Sequence, residues 1–182
     1  MEALGRVLNA GEKAYWVCPL IETPDEAEKI SGSLDLAAAE ERYQTLNKHF
    51  PGQVGLVHGR MKLVEREKVM QAFTSGNINL LVATTVIEVG VNVPEATVMV
   101  IEQAERFGLA QLHQLRGRVG RSDRPSRCVL LYDDPLSELS KSRLKILRET
   151  NDGFRIAEED MRLRGVGDML GTKQTGMPDF IL

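Results

Sequence analysis

Apolar positions along this chain come in short blocks that switch between two periods. Ala14 to Ile21 is aromatic and β-branched in its middle and predicts a strand. Leu34 to Phe50 is rich in Ala and Glu, stops at Pro51-Gly52, and predicts a helix. Val54 to Val57 predicts the next strand. Leu63 to Phe73 has helical spacing, with Val69, Met70 and Phe73 on its inner face and Gly76 just past its end. Ile78 to Ala83 is a nearly continuous apolar run, as expected of a strand covered on both faces. Thr97 to Ile101 reads as another strand, Gly108 to about Arg116 as a helix, and Cys128 to Tyr132 as the last strand.

Strands alternating with helices across short connections imply a parallel sheet with right-handed crossovers. After Asp134 only helical periodicity remains. Leu136, Leu139, Leu144 and Leu147 share one face of a helix running to about Thr150, and a second helix spans Gly153 to about Leu163. The expected division is an α/β domain over residues 1–134 and a helical hairpin with a Gly-rich loop over 135–182. The first dozen residues carry no strong pattern, and the acidic stretch Glu22 to Ser33 reads as a mobile loop. The apolar end Phe180-Ile181-Leu182 suggests a piece of something longer.

Composition adds little, and charge distribution adds more. The 182 residues suffice for one core and a small appendage. No apolar run is long enough for a membrane span, and no leader pattern precedes the first strand. Cys18 and Cys128 lie in apolar stretches and read as buried reduced thiols, without a structural metal. The net charge of -3 announces no nucleic-acid binder. Yet fourteen of the 23 Lys and Arg residues follow position 100, and Arg116, Arg118, Arg121, Arg124 and Arg127 crowd one stretch. A local basic ridge can hold phosphates on an acidic protein.

The stretch with most chemistry is Gln114-Leu-Arg-Gly-Arg-Val-Gly-Arg121. Arg118 and Arg121 are three apart and would project together from a helical turn. Gly117 and Gly120 remove side chains that would block a close approach. Two guanidinium groups on one face suit an anion with several oxygens, such as a phosphoryl group in transfer. A solvated basic helix end would explain the arginines. It would not explain two glycines that weaken a helix.

A second stretch, Val82-Ala-Thr-Thr-Val-Ile-Glu-Val-Gly-Val-Asn-Val-Pro94, leaves the most buried strand at its carboxyl end, where α/β sheets place ligands. Thr84 and Thr85 offer hydroxyls and backbone N–H groups, Gly90 permits a turn, and Asn92 offers a polar tip. Taken alone this is equally an ordinary loop exit. In Gly55-Leu-Val-His-Gly-Arg-Met61, His58 and Gly59 close the second strand at the same sheet edge. A lone histidine there is more often structural.

In this order and spacing, the three stretches resemble motifs four, five and six of superfamily-two helicases, over roughly residues 14 to 132. The resemblance implies a RecA-like second motor lobe, with ATP and Mg2+ bound jointly with a first lobe. It implies that Arg118 and Arg121 are arginine fingers, that Gln114 faces the same nucleotide, and that Gly90, Asn92 and Gly117 approach it. His58, Gly59, Arg60, Thr84 and Thr85 would contact the DNA backbone. Many relatives carry Asp where this chain has Asn92, so a charge-dependent role at that position is in doubt.

Two further stretches narrow the resemblance to the RecG branch. They are Ala14-Tyr-Trp-Val-Cys-Pro-Leu-Ile-Glu22 and Glu105-Arg-Phe-Gly-Leu-Ala-Gln-Leu-His113, running on into motif six. The tail agrees: Phe154 to Gly165, then Leu170-Gly-Thr-Lys-Gln-Thr-Gly-Met-Pro-Asp-Phe180, resembles that branch's translocation hairpin and loop. There Arg162, Arg164 and Lys173 would reach DNA phosphates and Gln174 would hydrogen-bond in the loop or to DNA. Val166 departs from the proline expected at that turn. The transcription-repair coupling factor shares the hairpin and is the nearest rival. No phosphate-binding G-x-x-x-x-G-K-[ST] loop, magnesium-holding Asp-Glu pair or wedge domain is in the chain.

The expected whole is therefore an ATP-driven double-stranded DNA translocase of the bacterial cytoplasm and nucleoid, remodelling stalled forks and Holliday junctions. Its partners would be branched DNA, a first RecA-like lobe and a wedge domain. Rivals are a non-catalytic nucleic-acid-binding module, which has no use for two fingers, and an RNA helicase, which lacks such a tail. The chain alone is expected not to hydrolyse ATP.

Overall fold

A computed structural model describes residues 1–19, 28–84, 93, 95–121 and 124–170, with side chains omitted for 28–35 and 166–170. Five strands form one sheet: β1 (Lys13–Val17), β2 (Val54–Val57), β3 (Leu80–Ala83), β4 (Ala96–Ile101) and β5 (Arg127–Leu130). Their order is β2-β3-β1-β4-β5, and every neighbouring pair is parallel. Strands β1, β3 and β4 are buried along their whole length, because helices cover both faces.

Helices α1 (Glu2–Asn9), α2 (Glu28–His49), α3 (Leu63–Ser75), α4 (Leu109–Arg116), α5 (Glu138–Glu149) and α6 (Gly153–Leu170), with a short 3-10 turn over Ala104–Arg106, complete the described architecture. One apolar layer joins Leu4, Leu8 and Leu46 to Trp16, Val82 and Val100. The other joins Tyr15, Phe73 and Met99 to Leu112 of α4 and to Leu147, Ile156 and Leu163 of the last two helices. The hairpin thus shares the core of the sheet.

Local chemistry explains the ends of these elements. The helix α3 stops where Gly76 turns left-handed at φ 81°. The Ser137 hydroxyl accepts from the Ser140 N–H at 3.1 Å and caps α5. The Asp152 carboxylate accepts from the Phe154 N–H at 2.9 Å and opens α6 after a short turn. This is the turn expected at Asn151-Asp152-Gly153.

Four expectations change. The patternless leading segment is helix α1, held by two buried residues one turn apart, Leu4 and Leu8. The acidic loop does not extend to Ser33, since α2 already begins at Glu28; residues 20–27 lie outside the described residues. The last helix runs through Gly165 to Leu170 instead of ending near Leu163. Leu139, assigned to the inner face of α5, is exposed, whereas Leu147 is buried and Leu144 and Ile146 pack half-buried against the core.

Candidate functional site

The carboxyl ends of the parallel strands gather the polar residues. His58 follows β2, Thr84 follows β3, and Glu102 follows β4. The Thr84 N–H donates to the Val57 carbonyl oxygen at 3.3 Å, which keeps the exits of β2 and β3 together. Both exits carry a buried polar atom with no hydrogen-bond partner among the described residues: His58 Nδ1 and Thr84 Oγ1. Buried polar atoms are normally satisfied, so two orphans at one sheet edge mark a place for an outside partner. Gly59 and Arg60 are exposed in the turn beyond. Thr85, Gly90 and Asn92 lie outside the described residues.

Glu102 anchors the next exit. Its carboxylate accepts from Trp16 Nε1 at 2.9 Å and from Arg42 Nε at 2.9 Å, and a second Arg42 nitrogen pairs with its other oxygen. The Arg42 guanidinium also lies 5.5 Å from the Trp16 ring centre, within cation–π range. Burial, then the Glu102 carboxylate, pushes the Cys18 thiol up to about 12. It is an inert packed thiol, as its apolar context suggests. Arg42 and Glu102 were not singled out by the sequence, because an i-to-distant ion pair leaves no spacing signal.

The arginine segment is built differently from the helical turn expected. Helix α4 opens with the Gly108 N–H donating to the Gln111 side-chain oxygen at 3.0 Å, and it ends at Arg116. Turn bonds from Arg118 to Leu115 and from Val119 to Arg116 follow, and then the chain reverses at Gly120, φ 77°. Gly120 is therefore required for its backbone: a Cβ would enter the left-handed region and collide with the Ser126 hydroxyl. Gly117 is not, since its φ is −69° and a Cβ would meet backbone oxygens at an ordinary 3.5 Å.

The turn also ties one of the two arginines back to its own backbone. Arg121 Nε donates to the Gly117 carbonyl oxygen at 2.9 Å. Burial pushes the Tyr15 phenol up to about 12, and the positive charges of Arg118 and Arg121 both oppose that rise. The Tyr15 hydroxyl, at the middle of β1, has no hydrogen-bond partner among the described residues. Gln114 is exposed on α4, one turn before Arg118. Val119 is the apolar anchor between the arginines, 7% exposed.

Arg116, counted with the basic ridge, does other work. Its guanidinium donates to the Leu147 and Thr150 carbonyl oxygens at 2.5 and 2.8 Å and contacts His113 Nδ1 at 2.9 Å. Desolvation, then the neighbouring Arg116 charge, lowers the His113 pKa, favouring the neutral ring that can accept this bond. Arg162 and Arg164 are exposed on α6, paired with Glu159 and Asp160 at 2.7 Å each. Lys173 and Gln174 lie outside the described residues.

Among the described residues no cluster of His, Cys, Asp or Glu could hold a metal ion. No described helix is long and apolar enough to cross a membrane.

Comparison with known proteins gives consistent matches. Residues 1–123 match the helicase conserved C-terminal domain, and residues 150–181 match the C-terminal part of domain 3 of the ATP-dependent DNA helicase RecG. The RecG helicase of Acidithiobacillus ferridurans is 55% identical over 97% of this chain and 25% of its own length. A structure of RecG bound to a three-way DNA junction superposes with a TM-score of 0.72 at 43% identity, over 92% of this chain and 21% of that one. A yeast DEAD-box splicing factor shares the fold at a TM-score of 0.63 and 16% identity, over 96% of this chain and 36% of that one. The chain spans about a quarter of the length of the curated relatives it matches.

Proposed function

The chain belongs to the family of helicase conserved C-terminal domains, and on that footing we propose that it is the second motor lobe of an ATP-dependent double-stranded DNA translocase of the RecG type. Residues 1–134 form the RecA-like lobe and residues 135–182 the hairpin and loop that transmit its movement. The substrate of the whole protein is branched DNA, such as forks and Holliday junctions, and it works in the bacterial cytoplasm. The match at residues 150–181 favours this branch over the transcription-repair coupling factor.

The observation that carries the reading is the turn after α4, in which buried Val119 anchors the chain between Arg118 and Arg121, Arg121 is tied back to the Gly117 carbonyl oxygen at 2.9 Å, and left-handed Gly120 reverses the backbone. Two cations held together by a Gly-hinged turn fit the charge that develops on a phosphoryl group in transfer. ATP would meet these arginines, Gln114 and the exposed Gly117, with Gly90 and Asn92 completing that surface from the loop after β3. Carboxylates of a first lobe would hold Mg2+, which would supply charge neutralisation at the phosphates.

DNA contact falls to the other end of the sheet edge. The orphaned His58 and Thr84 atoms support a backbone contact there, with Gly59, Arg60 and Thr85 around them. Arg162, Arg164, Lys173 and Gln174 serve the same strand from the tail.

The test is Arg118→Ala and Arg121→Ala in the full-length protein. Each should lower kcat about a thousandfold while leaving ATP binding mostly intact, because the fingers act on transition-state charge. Near-normal kcat in both variants would remove the assignment.

A further inference from the structure

Strand β5 ends the sheet, and it is left open on three sides. Its outer edge pairs with nothing among the described residues. The Leu131 N–H donates inward to the Ile101 carbonyl oxygen at 2.8 Å. Strand alternation therefore turns the backbone N–H and C=O groups of Cys128 and Leu130 outward. Natural proteins usually cover or blunt such an edge, because it is a template for another strand.

Both faces of β5 are grooves. On one side Val129 and Leu131 are 42% and 39% exposed, and with Leu4, Val7, Val98 and Val100 they line a cavity of about 240 Å³ that is almost wholly apolar. On the other side lies a cavity of about 520 Å³ between β5 and α5. Its floor is Leu130, Leu136 and Leu144, its rim is Lys141, Lys145 and Arg148, and no carboxylate lines it. Lys141 and Lys145 reach Glu138 and Glu149 at 2.7 and 3.9 Å, but these are exposed pairs that contribute little and exchange readily.

We propose that β5 is a docking edge for an extended, acid-rich segment of a partner protein, added to the sheet as a sixth strand. Backbone groups of the segment pair with Cys128 and Leu130. Its side chains then alternate, aliphatic ones filling the groove beside α1 and acidic ones reaching Lys141, Lys145 and Arg148. Charge complementarity selects an acidic partner over a neutral one, and two apolar floors favour a peptide over a phosphate backbone, which gains nothing from them.

The probe is a fluorescein-labelled peptide of about eight alternating valine and aspartate residues, the length of an ordinary strand, titrated against the full-length protein by anisotropy. Binding should weaken by about tenfold or more in the K145E/R148E double variant, as loss of two complementary charges requires, with DNA-stimulated ATP hydrolysis unchanged. A Val129→Asp variant should weaken it separately, and N-methylation of alternate peptide residues should abolish it by removing the donors the edge needs. No binding to the intact protein, or equal binding of the N-methylated peptide, overturns the proposal. So does loss of duplex DNA affinity in K145E/R148E without loss of peptide binding, which would assign the rim to phosphates. Peptide binding to the 182-residue chain alone, but not to the full-length protein, would mean that the rest of the chain already fills the edge, and overturns it too.

Discussion

Arg116 caps a helix to which it does not belong: its guanidinium donates to the carbonyl oxygen of Thr150 at 2.8 Å, closing the end of α5 just before the turn into α6. Two residues before Arg118, the chain is thus bolted to its own tail. Replacing Arg116 with Ala should destabilise the chain by about 2 kcal/mol, since charge-assisted bonds to half-buried carbonyls are lost together. Lysine should recover only part, because an ammonium cannot serve His113 and two carbonyls in one plane. A guanidinium titration followed by Trp16 fluorescence measures both; equal stability of Arg116→Ala would mean the cap is idle.

The role of Arg116 could not be read from sequence, and the reason is general to this fold. Elements came through where a stripe is long, as in Leu63 to Phe73, or continuous, as in Ile78 to Ala83. Helix α1 was lost because Leu4 and Leu8 are its only buried positions, too few to establish a period. The arginine-rich segment stood out by residue types and spacing, yet the conformation inferred for it differed. A left-handed Gly120 breaks the helix that three-residue spacing implied. Long-range partners such as Glu102 with Arg42, or Arg116 with Thr150, depend on topology and leave no local trace.

The two glycines of the motif should now behave differently. Gly120→Ala forces a β-carbon into left-handed backbone against Ser126, and should cost the fold about 1–2 kcal/mol and lower hydrolysis with it. Gly117→Ala meets only ordinary contacts and should leave the melting temperature within a degree or two. If Gly117→Ala still loses ATP hydrolysis in the full-length protein, the missing side chain was making room for nucleotide. Unchanged hydrolysis would sink that role for Gly117.

Alkaline pH should weaken the fold in a defined window. Burial raises Cys18 to about 12, Cys128 to about 11 and Tyr15 to about 12, from ordinary values of 9.0, 9.0 and 10.0. In each case the unfolded chain loses its proton first, so the stability these groups contribute is complete below about pH 9. It is then lost as pH rises towards 12, at about 1.4 kcal/mol per pH unit for each proton in its transition range. Denaturant midpoints measured from pH 7.5 to 10.5 should be flat and then fall. The fall should be shallower in Cys18→Ala when each variant is compared with its own neutral-pH value. A flat profile throughout would show that these groups are better solvated than their burial implies.

The sharpest test concerns the tail, because it separates a motor from a plain ATPase. Helix α6 has two kinds of residue doing two kinds of work. Ile156 and Leu163 are 2% and 9% exposed and bind the helix to the core layer under α4. Arg162 and Arg164 point to solvent, each paired among the described residues with an acid one turn earlier, at 2.7 Å. The arginine ends of these pairs are exposed while Glu159 and Asp160 are half-buried, so the guanidinium groups can also reach a DNA phosphate from the solvent side. Arg164→Ala should therefore leave the melting curve and ATP hydrolysis of the full-length protein largely intact while fork unwinding collapses. Asp160→Asn, which releases Arg164, should keep or improve DNA affinity. Ile156→Ala should do the opposite of both: truncating a buried isoleucine costs about 2–5 kcal/mol, and hydrolysis and unwinding should fall together with stability. If Arg164→Ala unwinds forks normally, or loses hydrolysis and unwinding in equal measure, the hairpin is a cap on the sheet and not a lever.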